Sequence, residues 1–262
     1  MCLILFAYKI IPEFPLVVAA NRDELFARPT RQAQLWHADE SSTEILSGKD
    51  LQAGGTWLGL SDDGRFAAVT NIRDPSQVEK KPKSRGELTL NFLANKKSAE
   101  KYSNELSSQF SDFAGYNLLV GDAESLWYVN NFENIVERLQ PGVYGLSNGV
   151  LDSHWPKINN GKQALSNLLE KPHDLTTDAL IEIMTNRSMA ADDALPNTGV
   201  PIHLERILSS MFIANPERQY GTLCSTAIIT ESTGRYRFSE QNYRDDGSPA
   251  QRHFFDSNFI DV

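Results

Sequence analysis

Two apolar, β-rich segments, 2–8 and 16–20, are joined by Ile11-Pro12-Glu13-Phe14-Pro15, a connection with the Pro-bearing chemistry of a hairpin. The chain therefore begins inside a sheet. The segment 26–50 that follows reads as polar and irregular. Residues 56–61, the turn Asp62-Asp63-Gly64 and residues 66–71 then form the clearest hairpin in the sequence. Two early hairpins predict an antiparallel sheet.

Leu88, Phe92 and Leu93 recur at near-helical spacing, which predicts a helix over 85–95, and 99–110 continues in the same style. Strands return at 116–120, 126–130 and 143–146, separated by Gly121-Asp122 and by Gln140-Pro141-Gly142. Helices follow at 156–169, 177–186 and 202–211, and strands close the chain at 225–230, 234–241 and 252–256. Strands at both ends and in the middle, with helices in two blocks, fit an α+β layered domain better than a βαβ alternation. No repeat or linker marks a boundary, so 1–262 reads as a single domain.

Hydrophobic residues make up 40% of the 262, enough for a substantial core. Lys and Arg total 25 against 34 Asp and Glu, and the net charge of -9 argues against nucleic acid or an anionic membrane surface as partner. Lys80, Lys81, Lys83 and Arg85 read as a solvated loop around Pro82. The apolar opening lacks a leading positive charge and is interrupted by Lys9, Pro12, Glu13 and Pro15, so it is not an export signal. No run of about 18 apolar residues predicts a membrane span, and a cytoplasmic location is expected. Cys2 and Cys224 alone give neither a disulfide framework nor a thiolate zinc cluster. The histidines, His37, His154, His173, His203 and His253, lack metal-ligand spacing, and no metal is expected.

Cys2 is the residue with the most chemistry at its disposal. If Met1 is removed, the thiol and a free α-amine share one residue, and the amine, titrating near 8, acts as base toward a thiol near 8.5. The plain alternative is a small apolar residue starting a buried strand. Asn21-Arg22-Asp23-Glu24 close a strand whose preceding positions look fully buried. Arginine holds carboxylates or stabilises a thiolate, and aspartate holds an ammonium or aligns a donor. In a regular strand Asn21 and Asp23 share one face, Arg22 and Glu24 the other. Arg22 and Asp23 then serve one site only if the strand ends or turns between them.

Gly54-Gly55-Thr56-Trp57-Leu58-Gly59 brings backbone close to a ligand with Trp57 as a flat wall, or is a purely structural hairpin. In Tyr220-Gly221-Thr222-Leu223-Cys224-Ser225-Thr226, hydroxyls such as that of Thr222 line the site or satisfy backbone groups, and Cys224 is a buried thiol.

Met1-Cys2-Leu3, Asn21-Arg22-Asp23-Glu24, Gly55-Thr56-Trp57-Leu58-Gly59, Thr70-Asn71, Gly145-Leu146-Ser147-Asn148-Gly149 and Tyr220-Gly221-Thr222 together resemble the family named for its Asn-Arg-Asp-Glu motif, across most of the chain and in order. The resemblance implies the N-terminal-nucleophile hydrolase superfamily and its four-layer αββα sandwich of two antiparallel sheets between helical layers. It also implies Cys2 as nucleophile, with Arg22, Asp23, Asn71 and Asn148 completing the site and Asn21, Trp57 and Thr222 near the ligand. Arg22 and Asp23 are adjacent here, whereas related bile-salt and penicillin hydrolases space them apart.

Two functions follow from the resemblance. The leading one is haem trafficking, a carrier passing haem to acceptor proteins, favoured because Met1 stands ahead of Cys2 and would hold the α-amine. The alternative is an amidohydrolase that needs no cofactor: Cys2 attacks a small amide, Asn71 or Asn148 steadies the oxyanion, and an acyl-thioester hydrolyses. A scaffold acting through partners alone would leave Asn21 to Glu24 unexplained.

Overall fold

Both early hairpins form where the sequence places them. The computed structural model describes residues 2–38, 41–77 and 79–259. In chain order its elements are strands β1 (Cys2–Ile11), β2 (Phe14–Leu25), β3 (Thr30–His37), β4 (Glu44–Asp50), β5 (Leu58–Ser61) and β6 (Phe66–Asn71), then helices α1 (Arg85–Leu93) and α2 (Ala99–Leu106). Strands β7 (Tyr116–Gly121), β8 (Leu126–Asn130), β9 (Ile135–Arg138) and β10 (Gly142–Leu146) follow, then helices α3 (Pro156–Leu169), α4 (Thr177–Ile183) and α5 (Ile202–Leu208). Strands β11 (Ala214–Asn215), β12 (Tyr220–Thr230), β13 (Arg235–Tyr243) and β14 (Pro249–Asn258) complete the order.

The chain contacts cluster into two compact units, one of Met1–Ala27, Arg73–Pro75 and Pro141–Ser257, the other of Arg28–Ile72, Ser76–Gln140 and Asn258–Val262. The first contains an antiparallel sheet of order β10-β1-β2-β12-β13-β14, with β11 paired to β12. Alternation along its central strands turns Leu3, Leu5, Ala7, Val17, Ala19, Ala227 and Ile229 to one face, where Ile158 and Leu165 of α3 and Leu180 and Ile181 of α4 cover them. Helix α3 lies close because Gly145 and Gly161 leave room: a Cβ at Gly145 would meet Ile158 Cγ2 at 2.6 Å, and one at Gly161 would meet Leu5 Cδ1 at 2.6 Å.

The second unit is a meander, β3-β4-β5-β6-β7-β8-β9, whose Ala67, Val69, Leu118 and Val120 pack against Leu88, Phe92, Tyr102 and Leu106 of α1 and α2. Ser84 and Glu87 form a reciprocal capping box at the start of α1. The expected irregular stretch 26–50 is corrected here: it contains β3 and β4. Strand β9, absent from the sequence reading, is also present. β3 and β9 are the two edges of their sheet, paired on one side only. Edge strands carry solvent-facing polar residues that dilute the strand signal. The α+β class expected from the sequence is the class observed.

Candidate active site

The site forms where three strands of the first unit end together. Cys2 opens β1 opposite Arg22 of β2, and pairing continues Leu3 to Asn21. On the other side of β2, Arg22 pairs with Cys224 and Asp23 with Thr222, so Leu223 is an extra residue in β12. The strand β2 neither ends nor turns between Arg22 and Asp23, since the extra residue belongs to β12, yet both charges act on Cys2.

Cys2 is partly buried. Burial pushes its thiol up, the Asp23 charge pushes the same way, and the Arg22 charge and the Asp23 main-chain N–H oppose them. Burial also lifts the Asp23 carboxyl, against the charges of Lys157 and Arg73 and a bond from the Thr222 hydroxyl to Asp23 Oδ1 at 2.7 Å. Thr222 Oγ1 in turn accepts the Ile213 N–H at 2.9 Å. Thr222 thus orients Asp23.

β10 flanks β1 on its far side, and the chain leaving it carries Ser147 and Asn148 past Cys2. Ser147 Oγ donates to the Cys2 carbonyl at 2.9 Å and to Asn148 Oδ1 at 3.2 Å, and the buried Asn148 accepts the Arg73 N–H on its carbonyl at 2.8 Å. Asn148 is therefore tied to the Cys2 main chain through one hydroxyl.

Asn21 is not brought to that face. It shares the helix-covered side with Leu3, donates to the Met184 and Met211 carbonyls at 2.9 Å each, and accepts from Ser225 Oγ at 2.6 Å. Asn71 and Trp57 belong to the second unit. Asn71 ends β6 and donates to the Ile72 carbonyl at 3.2 Å. Trp57 packs on Gly48, where a Cβ would meet its ring at 2.2 Å, and the close backbone approach at Gly55 is to Gly86 in the first turn of α1. Cys224 is buried, and burial holds its thiol well above the ordinary range.

Three residues that the sequence reading passed over, Lys157, Arg73 and Glu205, surround Cys2 and Asp23 together with Tyr220 of the quoted motif. Lys157, in the first turn of α3, is 3% exposed, and burial, followed by the charge of Arg73, lowers its ammonium to about 8. Arg73 pairs with Glu205 of α5 at 2.5 Å, both buried. The Tyr220 hydroxyl donates to the Asp23 carbonyl at 3.1 Å. A signal existed: Lys157 sits on the buried stripe of α3 with Gly161 and Leu165, and Glu205 on that of α5 with Leu208. Among the described residues no cluster of three or more His, Cys, Asp or Glu is placed to hold a metal, and no helix is long and apolar enough to cross a membrane.

The family model of Transport and Golgi organisation 2 matches residues 1–245. The chain belongs to that family. A Transport and Golgi organization protein 2 homolog of Bos taurus is 33% identical, over 92% of this chain and 93% of that protein, and the Homo sapiens homolog is 32% identical over 94% of each. Outside the Transport and Golgi organisation 2 family, the Caenorhabditis elegans N-acylethanolamine-hydrolyzing acid amidase ortholog superposes at a TM-score of 0.52 with 12% identity, covering 87% of this chain and 92% of its own. A variant of the conjugated bile acid hydrolase from Clostridium perfringens also reaches 0.52, at 10% identity and covering 98% and 97%. The chain thus has an N-terminal-nucleophile-hydrolase-like fold.

Proposed function

We propose that this protein hydrolyses a small amide through a thioester on Cys2. One observation carries this: Cys2 opens β1 directly opposite Arg22, and the charges of both Arg22 and Asp23 act on that one partly buried thiol at a strand end. A merely structural cysteine at the start of a buried strand needs no such charges. The Cys2 sulfur would attack the amide carbonyl carbon, forming a C–S bond as the carbonyl π electrons move to oxygen. The α-amine of Cys2 takes the thiol proton and returns it to the departing nitrogen, the C–N bond breaks, and water then cleaves the thioester to acid and free thiol. Arg22 would steady the thiolate, Asp23 the α-ammonium, and the Asn148 amide the oxyanion.

Hydrolysis of this kind requires Cys2 as first residue; Met1 lies outside the described residues. Intact mass of the protein from its own cells is expected to lack Met1. Cys2→Ala should remove all turnover of a panel of N-acyl amides, N-acylethanolamines included, with folding unchanged by circular dichroism. Retained Met1, or undiminished turnover in the variant, would refute the proposal.

The haem-carrier role and its acceptor proteins rest on the family resemblance. A haem macrocycle asks for broad apolar walls and an axial ligand, whereas the surroundings of Cys2 are rich in charge. Haem titration followed at the Soret band tests that role directly. A spectrum distinct from free haem, with transfer to an apo-acceptor, would restore it over hydrolysis.

A further inference from the structure

Three donor atoms beside Asp23 and Cys2 are buried and meet no acceptor among the described residues: Arg73 Nε, Arg73 Nη2 and Lys157 Nζ. Asp23 Oδ2 lies near both cations but makes no hydrogen bond to either, and the other nearby acceptors are engaged. Glu205 Oε2 takes Arg73 Nη1, Glu205 Oε1 takes the Thr198 N–H at 3.1 Å and hydroxyl at 2.5 Å, and Asp23 Oδ1 takes Thr222. Both cations lie against one ring, the Arg73 guanidinium 4.8 Å and the Lys157 ammonium 6.0 Å from the Trp155 centroid. They stand close enough that the charge of Arg73 is, after burial, the next cause lowering Lys157.

The open edge of Arg73 is informative. Nε and Nη2 form the side of a guanidinium that grips both oxygens of a carboxylate. This protein uses that side elsewhere: Arg206 binds Asp192 at 2.8 and 2.6 Å, and Arg235 binds Asp256 at 2.7 and 2.6 Å, each through Nε and Nη2. In Arg73 the end Nη1 holds Glu205, which fixes the guanidinium and leaves its carboxylate-binding side unfilled. Glu205, Asp23 and the Trp155 ring offset part of the cost of two like charges kept dry side by side, but the three unanswered donors remain, and a further anion would satisfy them.

We propose that Arg73 and Lys157 bind a carboxylate group of the ligand, making the substrate a carboxylate-bearing amide such as an N-acyl amino acid. The identity of the ligand as an amide rests on hydrolysis at Cys2; the anion site does not. Glu205 positions Arg73, Trp155 walls the site, and the Cys2 sulfur lies within range of the same charges.

The test uses Cys2→Ala protein with 13C-labelled lysine, so that binding is read without turnover. Lys157 faces Arg73, Asp23, Glu205 and residue 2, and its resonance is titrated with pH in N-acetylglycine or in uncharged N-acetylglycinamide. N-acetylglycine is expected to raise the Lys157 midpoint by about one unit, a tenfold preference for the protonated form, and N-acetylglycinamide to leave it in place. Lys157→Met and the pair Arg73→Met with Glu205→Met should each weaken N-acetylglycine by about tenfold or more. No movement with N-acetylglycine, equal movement with both compounds, or unweakened binding in these variants would overturn the site. Haemin propionates share this chemistry, and displacement of N-acetylglycine by stoichiometric haemin would overturn the amide assignment. If Lys157 responds but the parent protein cleaves no amide, hydrolysis fails and the anion site stands; turnover with no response at Lys157 gives the reverse.

Discussion

Asp23 faces Thr222 across the β2–β12 ladder, and the Thr222 hydroxyl donates to its carboxylate at 2.7 Å while accepting the Ile213 N–H. Thr222→Val removes both bonds and should cost about 1–3 kcal/mol. Burial already raises the Asp23 carboxyl, and losing a donor raises it further. For a carboxyl raised in the fold, stabilisation is present below its unfolded value near 3.8 and is lost as pH rises through the folded midpoint. The loss in Thr222→Val should therefore be larger at pH 8 than at pH 4. Urea midpoints at the two values decide it, and an equal loss would count against Asp23 as the group concerned.

Lys157→Met should stabilise the protein. Its ammonium is lowered from 10.5 to about 8, so the fold carries a penalty for the charged form at pH 7. With a depressed folded value, stability rises as pH climbs from about 8 to 10.5, where the unfolded chain also loses the proton. Methionine has the length to fill the space without the charge, and a gain of roughly 1–3 kcal/mol is expected at pH 7, shrinking toward pH 10. Thermal melts across that range check both sign and slope. Stability given up at a site for the sake of a ligand is a common trade.

The sequence revealed the frame of the fold better than the details of the site. Leu3, Leu5, Val17 and Ala19 announce a buried sheet because their alternation and apolarity reflect direct contacts. β3 and β9 escaped notice because an edge strand is polar on purpose. The joint action of Arg22 and Asp23 could not be read from β2, whose alternation separates them, because it depends on where the neighbouring β1 places Cys2. Arg73, Lys157 and Glu205 come from three distant parts of the chain and meet only through packing. Asn21 sits in the motif, yet its hydrogen bonds brace the helix-covered face.

Gly145→Ala should lower stability by about 1–3 kcal/mol. Its new methyl would meet Ile158 Cγ2 at 2.6 Å and Lys162 Cγ at 3.2 Å, so α3 must shift from the sheet. Lys157 precedes Ile158, so displacement of α3 also moves the ammonium beside Asp23. Unfolding by guanidinium together with the Lys157 midpoint by 13C NMR reads both effects. A stability loss with an unmoved midpoint would separate the packing of α3 from the site.

Among the described residues of the first unit, Arg73 and Glu205 form the most deeply buried ion pair, with side chains 5% and 2% exposed and a contact of 2.5 Å. Removing one partner strands a charge where water does not reach, so Arg73→Met should cost about 3–5 kcal/mol. Replacing both, with Arg73→Met and Glu205→Met, removes the stranded charge and should recover most of that loss. Recovery is incomplete because Glu205 Oε1 also accepts from the Thr198 N–H and hydroxyl. Chemical denaturation of the single and double variants makes the cycle. If the double variant is as unstable as Arg73→Met alone, the bonds from Thr198 satisfy Glu205 without Arg73, and the loss in the single variant is not that of a stranded charge.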